Sequence, residues 1–155
     1  RSRSSACSPR CRNETDMTHI VVVGSGIAGL TAALEAADTH SVTLVTKSQL
    51  SQSNTRYAQG GVAVVTAPGD SVASHVSDTL IAGAGLSDQE AVEVLCAEGP
   101  AAVEELISRG VPFDRHDGEL SRGLEAAHSF ERILHSGGDA TGAGIACCVG
   151  TPGAT

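Results

Sequence analysis

The stretch Gly24–Gly29, with the letters GSGIAG, has the pattern GxGxxG and decides the fold of this chain. It directly follows the β-branched run Ile20–Val23, which is typical of a strand buried on both faces of a parallel sheet. Gly24 permits a tight turn, Gly26 removes a Cβ from the path of a bound diphosphate, and Gly29 lets the next helix pack on the strand. The stretch therefore predicts a turn whose free helix amides hold an anion, with a purely structural glycine turn as the alternative.

The residues that follow extend this turn into a βαβ unit. Gly26–Asp38 carries apolar side chains at spacings of three and four, which predicts an amphipathic helix of about three turns. Ser41–Thr46 has the aliphatic character of a second buried strand. A strand, a helix and a strand within about 30 residues indicate a right-handed βαβ unit, so the predicted fold class is α/β and the domain is Rossmann-like. A Walker A loop is excluded because Leu30-Thr31 follows the last glycine.

A long polar loop separates the second strand from the next apolar run. Lys47–Gly61 is rich in Ser, Gln, Asn and Thr and ends in a glycine pair, before Val62–Val65 resumes the aliphatic pattern. Long loops inside compact domains are uncommon unless they carry function, so this loop is a candidate site. Thr46-Lys47 stands where an NAD-type fingerprint has an acid for the ribose hydroxyls, which argues against a plain NAD dehydrogenase.

The second half of the chain predicts three helices and a hairpin. Val72–Ile81 forms one helical stripe, and Ser87 begins a second helix with a capping box. Pro100 fits the first turn of a separate third helix, which Gly110 would end in a left-handed conformation. Phe113–Leu120 surrounds an Asp-Gly pair and has the pattern of a short hairpin.

Composition and charge exclude several classes of protein. Of 155 residues, 41% are apolar and 18% charged, which is a globular profile. The longest aliphatic run, Ile20–Val23, is far shorter than the ~20 residues of a membrane span. A net charge of -8 and an aromatic content of 2% argue against nucleic-acid binding. The five cysteines lack metal-ligand spacing and predict reduced cytosolic thiols, so we expect no metal.

Several further segments resemble the L-aspartate oxidase family, over about residues 17–145. The Ala-Gln-Gly-Gly and Asp-Ala-Thr-Gly segments are shared in kind with the flavoprotein subunits of succinate dehydrogenase and fumarate reductase. Tyr57 and the segment Ile81–Gly85 favour the oxidase. The segments that carry the resemblance are Ser53–Gly61 (SNTRYAQGG), Ser74–Leu80 (SHVSDTL), Glu125–Ser129 (EAAHS), Arg132–His135 (RILH) and Asp139–Gly142 (DATG).

The resemblance implies an FAD enzyme that oxidises L-aspartate to iminoaspartate, the first step of de novo NAD biosynthesis. Oxygen or fumarate would reoxidise the flavin. It also implies a cytoplasmic enzyme that is functionally coupled to quinolinate synthase, with no nucleic-acid or membrane partner. Two alternatives stay open: a flavoprotein subunit of fumarate reductase or succinate dehydrogenase, and a non-catalytic fragment.

The resemblance also assigns site residues. Lys47 would lie at the adenosine end of FAD, and Glu125 would orient the substrate amino group by accepting hydrogen bonds from it. We expect FAD to be non-covalent, because Asn54 stands where the related dehydrogenases carry a flavin-linking histidine. The pyrophosphate would meet Ser25, Gly26, Ile27 and Ala28 within the turn from Gly24 to Gly29. The loop along the flavin would comprise Asn54, Thr55, Arg56, Tyr57, Ala58, Gln59, Gly60 and Gly61.

From the residues alone, simpler interpretations stay open for three of these features. Gly60-Gly61 also fits an ordinary loop pair, and Lys47 also fits a solvated turn charge. Glu125 and His128 are three residues apart, so on a helix they would share a face and pair with each other.

Three regions are expected along the chain. Residues 1–16 are expected to be a disordered or non-native leader, and 17–145 the N-terminal part of an FAD-binding domain. Residues 146–155 are expected to form an irregular tail, typical of a truncation or frameshift. In the family, a proton-transferring arginine, further carboxylate-binding residues and a capping domain lie further along the chain. We therefore expect this chain by itself not to oxidise L-aspartate.

Overall fold

The computed structural model describes residues 18–50, 52–125 and 127–150. The strands are β1 (His19–Val23), β2 (Ser41–Val45), β3 (Val62–Ala63), β4 (Arg115–His116), β5 (Glu119–Leu120), β6 (Arg122–Gly123) and β7 (Ile133–Leu134). The helices are α1 (Ile27–Ala37), α2 (Val72–Ala82), α3 (Gln89–Ser108) and α4 (Thr141–Val149).

The first elements form the predicted βαβ unit. β1 and β2 are parallel, with His19 opposite Ser41 and Val23 opposite Val45. α1 connects them, packs on both strands and buries Leu30. The α/β fold class and the order of strand, glycine turn, helix and strand are therefore confirmed.

The two strands are less buried than their sequence predicts. Val21, Val23 and Val45 are 55%, 81% and 45% exposed. α1 packs on one face of this two-stranded sheet, and these valines lie on the opposite face. The prediction of strands buried on both faces is wrong for the described residues, because the second covering layer has to come from elements that a strand's own sequence does not supply.

A three-stranded antiparallel sheet forms the centre of the second part of the fold. β7 is its middle strand and pairs with β3 on one side and β6 on the other. The core cluster takes residues from α1, α3, α4 and this sheet, so one hydrophobic core joins the βαβ unit to the later elements. Its buried members are Leu30, Val64, Val103, Val111, Phe113, Leu134, Ile145 and Val149.

α3 is one continuous helix, and the prediction of two helices divided at Pro100 is wrong. A proline inside a helix lacks one hydrogen bond and costs roughly 3 kcal/mol relative to alanine. Val92, Cys96 and Val103 are buried on both sides of the proline along the same helix. Burying each such side chain contributes roughly 1.5–3 kcal/mol, so the continuous apolar stripe outweighs the proline.

The start of α3 also differs from the prediction by one residue. The N-cap is Asp88, whose Oδ1 accepts a hydrogen bond of 2.9 Å from the Ala91 amide. Ser87 is therefore not the capping residue. Both residue types are good N-caps, so sequence alone does not decide between neighbours.

The hairpin and the left-handed helix terminus are confirmed. β4 and β5 pair with Arg115 opposite Leu120 and His116 opposite Glu119. The two residues between these strands both have positive φ, +52° and +86°, as a type I′ turn requires. Gly110, which follows the C-cap residue Arg109 of α3, has φ of +92°.

The last described element corrects the expected tail. α4 extends through Val149, so residues 146–149 are helical and not irregular. Ile145 and Val149 enter the core, which fixes a helix that the small residues of this segment do not signal. The expected leader at 1–16 and residues 151–155 lie outside the described residues. Within 18–50, 52–125 and 127–150, no helix is long and apolar enough to cross a bilayer.

Candidate functional site

A cleft of about 460 Å³ lies at the carboxyl ends of β1 and β2, beside the start of α1. Parallel strands that end at the same edge leave such a crevice, and ligands of open α/β sheets bind there. The cleft brings together the glycine turn, the end of strand two and the first residues of the polar loop. Its lining is Val23, Gly24, Ser25, Gly26, Val45, Thr46, Lys47, Gln52, Ser53 and Asn54.

The three glycines of the turn differ in whether the fold itself requires glycine at that position. Gly24 has φ of +115°, and its amide donates to the Val45 carbonyl at 2.8 Å. A Cβ built at Gly29 would overlap the carbonyl oxygen of Gly24. At Gly26, φ is -74° and a Cβ would meet only Thr55 Oγ1, at an ordinary 3.6 Å. The fold therefore requires glycine at positions 24 and 29, whereas at Gly26 the missing Cβ leaves room for a ligand.

Thr55 holds the polar loop against the start of α1 and the start of α4. Its Oγ1 accepts a hydrogen bond of 2.9 Å from the Ile27 amide, one of the first amides of α1. The first amides of a helix have no intrahelical acceptor, and this bond satisfies one of them. A Cβ at Gly142, at the start of α4, would overlap the Thr55 carbonyl oxygen. The loop is thus clamped between the starts of α1 and α4.

The end of the loop is held against the central sheet. The Gly60 amide donates to Asp139 Oδ1 at 2.8 Å, and Gly60 has φ of +81°. A Cβ at Gly61 would overlap Ile133 Cγ2 on β7. Both glycines therefore have a backbone or packing requirement of their own. Over residues 54–59, the exposed side chains are Asn54, Arg56, Tyr57, Ala58 and Gln59, with Tyr57 67% exposed.

Ser25 and Lys47 both line the cleft. Ser25 is 6% exposed, and its Oγ lies 2.8 Å from Thr46 Oγ1, which joins the glycine turn to the end of β2. Lys47 is exposed and lines the cleft. The structure therefore brings Ser25 and Gly26, predicted for the diphosphate, to one cavity with Lys47, predicted for the adenosine end, whereas Ile27 and Ala28 are outside its lining. Of the loop 54–61, Asn54 alone lines this cavity.

Glu125 does not pair with His128 on a helix face. The His128 amide donates to the Glu125 carbonyl at 3.2 Å, and Ala127 has φ of +75°. Glu125 Oε1 instead lies 3.4 Å from His135 Nε2. The helical pairing is therefore wrong, because a left-handed residue ends any helix at this point.

A buried ion cluster around Arg132 is a feature that the sequence analysis does not foresee. Arg132 is fully buried and forms two hydrogen bonds with the carboxylate of Asp70, Nε to Oδ2 at 2.6 Å and Nη2 to Oδ1 at 2.7 Å. It also donates to Asp78 Oδ2 and, at 2.8 Å, to Ser74 Oγ. His128 Nδ1 lies 3.4 Å from its Nη1. The signal that was available is the spacing of Ser74 and Asp78, which places both on one face of α2.

The charged groups of this Arg132 cluster stabilise one another, as expected of a cluster that holds the structure together. The Ser129 amide and hydroxyl and the Arg132 guanidinium hold the pKa of Asp78 well below its ordinary value. Hydrogen bonding to Arg132 lowers the pKa of Asp70, and hydrogen bonding to Asp70 raises the pKa of Arg132. Burial lowers the pKa of His75. The cluster ties Asp70 and α2 to residues 128–132 and so fixes residues 128–132.

The chain matches the family model described as FAD binding domain over residues 19–149. It is 50% identical over 141 residues to the L-aspartate oxidase of Oryza sativa named chloroplastic, covering 90% of this chain and 22% of that protein. It is 54% identical over 129 residues to the L-aspartate oxidase of Streptomyces coelicolor, covering 81% of this chain and 22% of that protein.

Solved structures give the same fold. A quinol fumarate reductase chain of Escherichia coli superposes with a TM-score of 0.78 at 28% identity, covering 86% of this chain and 24% of that chain. Mycobacterium smegmatis Sdh1 gives 0.78 at 35% identity, covering 84% and 22%. The chain spans about a fifth of the length of the curated relatives that it matches. The chain belongs to the FAD-binding domain family, and FAD is its cofactor.

Proposed function

We propose that this chain forms the nucleotide-binding part of an enzyme that oxidises L-aspartate to iminoaspartate. The observation that carries the proposal is Gly26: the fold tolerates a Cβ there, yet the residue is glycine and opens onto the cleft. The L-aspartate oxidases of rice and Streptomyces, similar to the chain over most of its length, support the substrate class.

The residues around the cleft fit the cofactor in chemistry and shape. Backbone amides at the start of α1, next to Gly26, suit the diphosphate, because a helix N-terminus carries partial positive charge. Lys47 suits the adenosine end, and the loop 54–61 suits the flavin. Asn54 is no candidate for a covalent flavin link, since its amide is a poor nucleophile. FAD, when bound, supplies the acceptor for the hydride that leaves the substrate Cα.

Glu125 is the residue that we assign to the substrate. Its side chain is 54% exposed, follows β6 and stands next to His135, which lies against the glycine-rich loop. A carboxylate there accepts hydrogen bonds from the substrate ammonium and offsets its charge. Oxidation removes a hydride from Cα and a proton from nitrogen, which leaves the C=N bond of iminoaspartate.

The rest of the proposed reaction concerns acceptors and cellular context. Oxygen or fumarate takes the electrons from the reduced cofactor, giving hydrogen peroxide or succinate. The product feeds de novo NAD biosynthesis, in functional coupling to quinolinate synthase. We propose a cytoplasmic enzyme, because the five cysteines lack the paired spacing of a disulfide framework. A fluorescent fusion of the complete coding sequence tests the compartment, since the rice relative is named chloroplastic.

A full-length chimera tests the activity. In this chimera, residues 18–150 replace the matching part of the Streptomyces coelicolor L-aspartate oxidase. We expect it to purify yellow and to produce hydrogen peroxide from L-aspartate but not from D-aspartate. The 155-residue chain, assayed beside it with added FAD, is expected to produce none. A yellow chimera without L-aspartate turnover would contradict the proposed substrate.

A fumarate reductase or succinate dehydrogenase flavoprotein is the second candidate, favoured by the TM-score of 0.78 to two such structures. Acid precipitation of the chimera separates the two candidates. Non-covalent FAD stays in the supernatant, as we expect with Asn54, whereas flavin in the pellet would favour the second candidate.

A further inference from the structure

The His135 side chain fills space beside Gly61 and Gly123, which have no side chains of their own. It directly follows β7, the central strand of the three-stranded sheet. Gly61, directly before β3, and Gly123, in β6, lie beside it. A Cβ at Gly61 would lie 3.1 Å from His135 Nε2, and one at Gly123 would lie 3.6 Å from His135 Cε1. The imidazole therefore rests over the backbone of both neighbours.

This place joins the glycine-rich loop to Glu125. Gly61 ends the loop assigned to the flavin, and Glu125 follows Gly123 by two residues. His135 Nε2 lies 3.4 Å from Glu125 Oε1, with the two side chains 29% and 54% exposed. The imidazole is thus the group that stands between the loop and the carboxylate assigned to the substrate.

The backbone around His135 is fixed. Its carbonyl accepts a hydrogen bond of 2.8 Å from the Asp114 amide. The Asp114 carboxylate accepts from the Gly137 and Gly138 amides at 2.9 and 3.1 Å, and these bonds lower the pKa of Asp114. Because hydrogen bonds fix the backbone around His135, its ring is a rigid partner for the Glu125 carboxylate, which would otherwise be mobile.

We infer that His135 is a positioning residue, which holds one oxygen of Glu125 so that the other faces the ammonium of an amino-acid substrate. This inference rests on the proposed function. A ring nitrogen 3.4 Å from one carboxylate oxygen restricts the rotation of a half-exposed side chain and leaves the second oxygen available. The effect acts through Glu125, so it concerns substrates with an amino group and spares those without one.

The test uses the chimera and four variants of it: His135→Leu, His135→Gln, Glu125→Gln and the double variant Glu125→Gln/His135→Leu. KM and kcat are measured for L-aspartate oxidation and for fumarate reduction, with flavin content as the check on folding. His116→Leu, at an exposed hairpin position, is the matched control. The double-variant cycle isolates the coupling between the two residues.

We expect His135→Leu to raise KM for L-aspartate about tenfold, which corresponds to about 1.4 kcal/mol, and to leave KM for fumarate within about twofold. His135→Gln, which keeps a donor, should restore most of the loss. In the Glu125→Gln background, His135→Leu should add little, since the carboxylate that it positions is gone. The His116→Leu control should match the parent chimera.

Different failures have different meanings. A parent chimera that turns over no L-aspartate overturns the proposed function, and with it the role of His135 in that reaction. An active parent in which the two substitutions are additive, or in which L-aspartate and fumarate are affected alike, overturns the positioning role alone. If His135→Leu loses its flavin, His135→Gln decides: normal KM for L-aspartate supports the inference, and a raised KM or lost flavin overturns it.

Discussion

The cleft at Gly24–Gly29 and the Arg132 cluster are built in opposite ways, one around open space and the other around buried charges. In the cleft, room for a ligand comes from absent side chains, and the surrounding groups are partly exposed. In the cluster, a fully buried guanidinium is bonded to two carboxylates and a serine, with little access for any ligand. In this chain the strongly perturbed pKa values belong to the Arg132 cluster, whereas the candidate site is marked by Gly26, whose missing Cβ leaves room for a ligand.

The largest effect is expected from breaking the cluster at its centre. Arg132→Met leaves the carboxylate of Asp70, fully buried in the structure, without its partner. Removing one member of a buried pair destabilises a protein by roughly 3–5 kcal/mol. Urea unfolding of the chimera should show this loss, with Arg115→Met, at an exposed hairpin position, as the control. A loss below about 1 kcal/mol would show that the cluster is not the framework of this region.

The cluster should also make stability fall in acid. The folded-state pKa values of Asp70 and Asp78 are lowered, so their contribution is complete above the ordinary value of 3.8 and disappears as pH falls towards the folded values. His75, whose pKa is lowered from 6.5 by burial, begins the loss at higher pH because it resists protonation. Unfolding free energy measured from pH 7 to pH 3 should decline, and Asp78→Asn should flatten the part below pH 4. An unchanged slope in Asp78→Asn would contradict this assignment.

The smallest expected effect on stability concerns the residue that caps the N-terminus of α3. Asp88→Ala removes the N-cap bond to the Ala91 amide and should lower stability by about 1 kcal/mol. Ser87→Ala, one residue earlier, should change stability by less than about 0.5 kcal/mol. Equal losses in the two variants, measured by urea unfolding of the chimera, would mean that both residues cap the helix.

Much of the fold follows from local sequence, and the departures have physical causes. The βαβ unit, the hairpin and the left-handed Gly110 are predictable because each depends on neighbouring residues. Continuity of α3 across Pro100 and the helical end at Val149 depend on burial against distant elements, which periodicity does not contain. The exposed faces of β1 and β2 likewise depend on what packs against them.

The candidate site likewise has features that the local sequence predicts and features that it does not. The glycine turn and the polar loop are visible in the sequence because their backbone needs particular residue types. The roles of Thr55 as an anchor and of His135 beside Glu125 are not visible, since each is set by contacts between segments distant in sequence. In the Arg132 cluster, helical spacing shows that Ser74 and Asp78 share a face of α2, but it does not reveal that Arg132 is their partner, 58 and 54 positions away.

FAD binding by Gly26→Val, compared with Gly29→Ala, tests whether the missing Cβ at Gly26 serves the ligand and not the fold. In deflavinated chimera, Gly26→Val should keep its unfolding free energy within about 1 kcal/mol of the parent, because its Cβ has room in the fold, yet bind FAD at least about tenfold more weakly. Gly29→Ala should instead lose stability, because its Cβ overlaps the Gly24 carbonyl. Gly26→Val protein that is stable and purifies with a full complement of FAD would contradict the account.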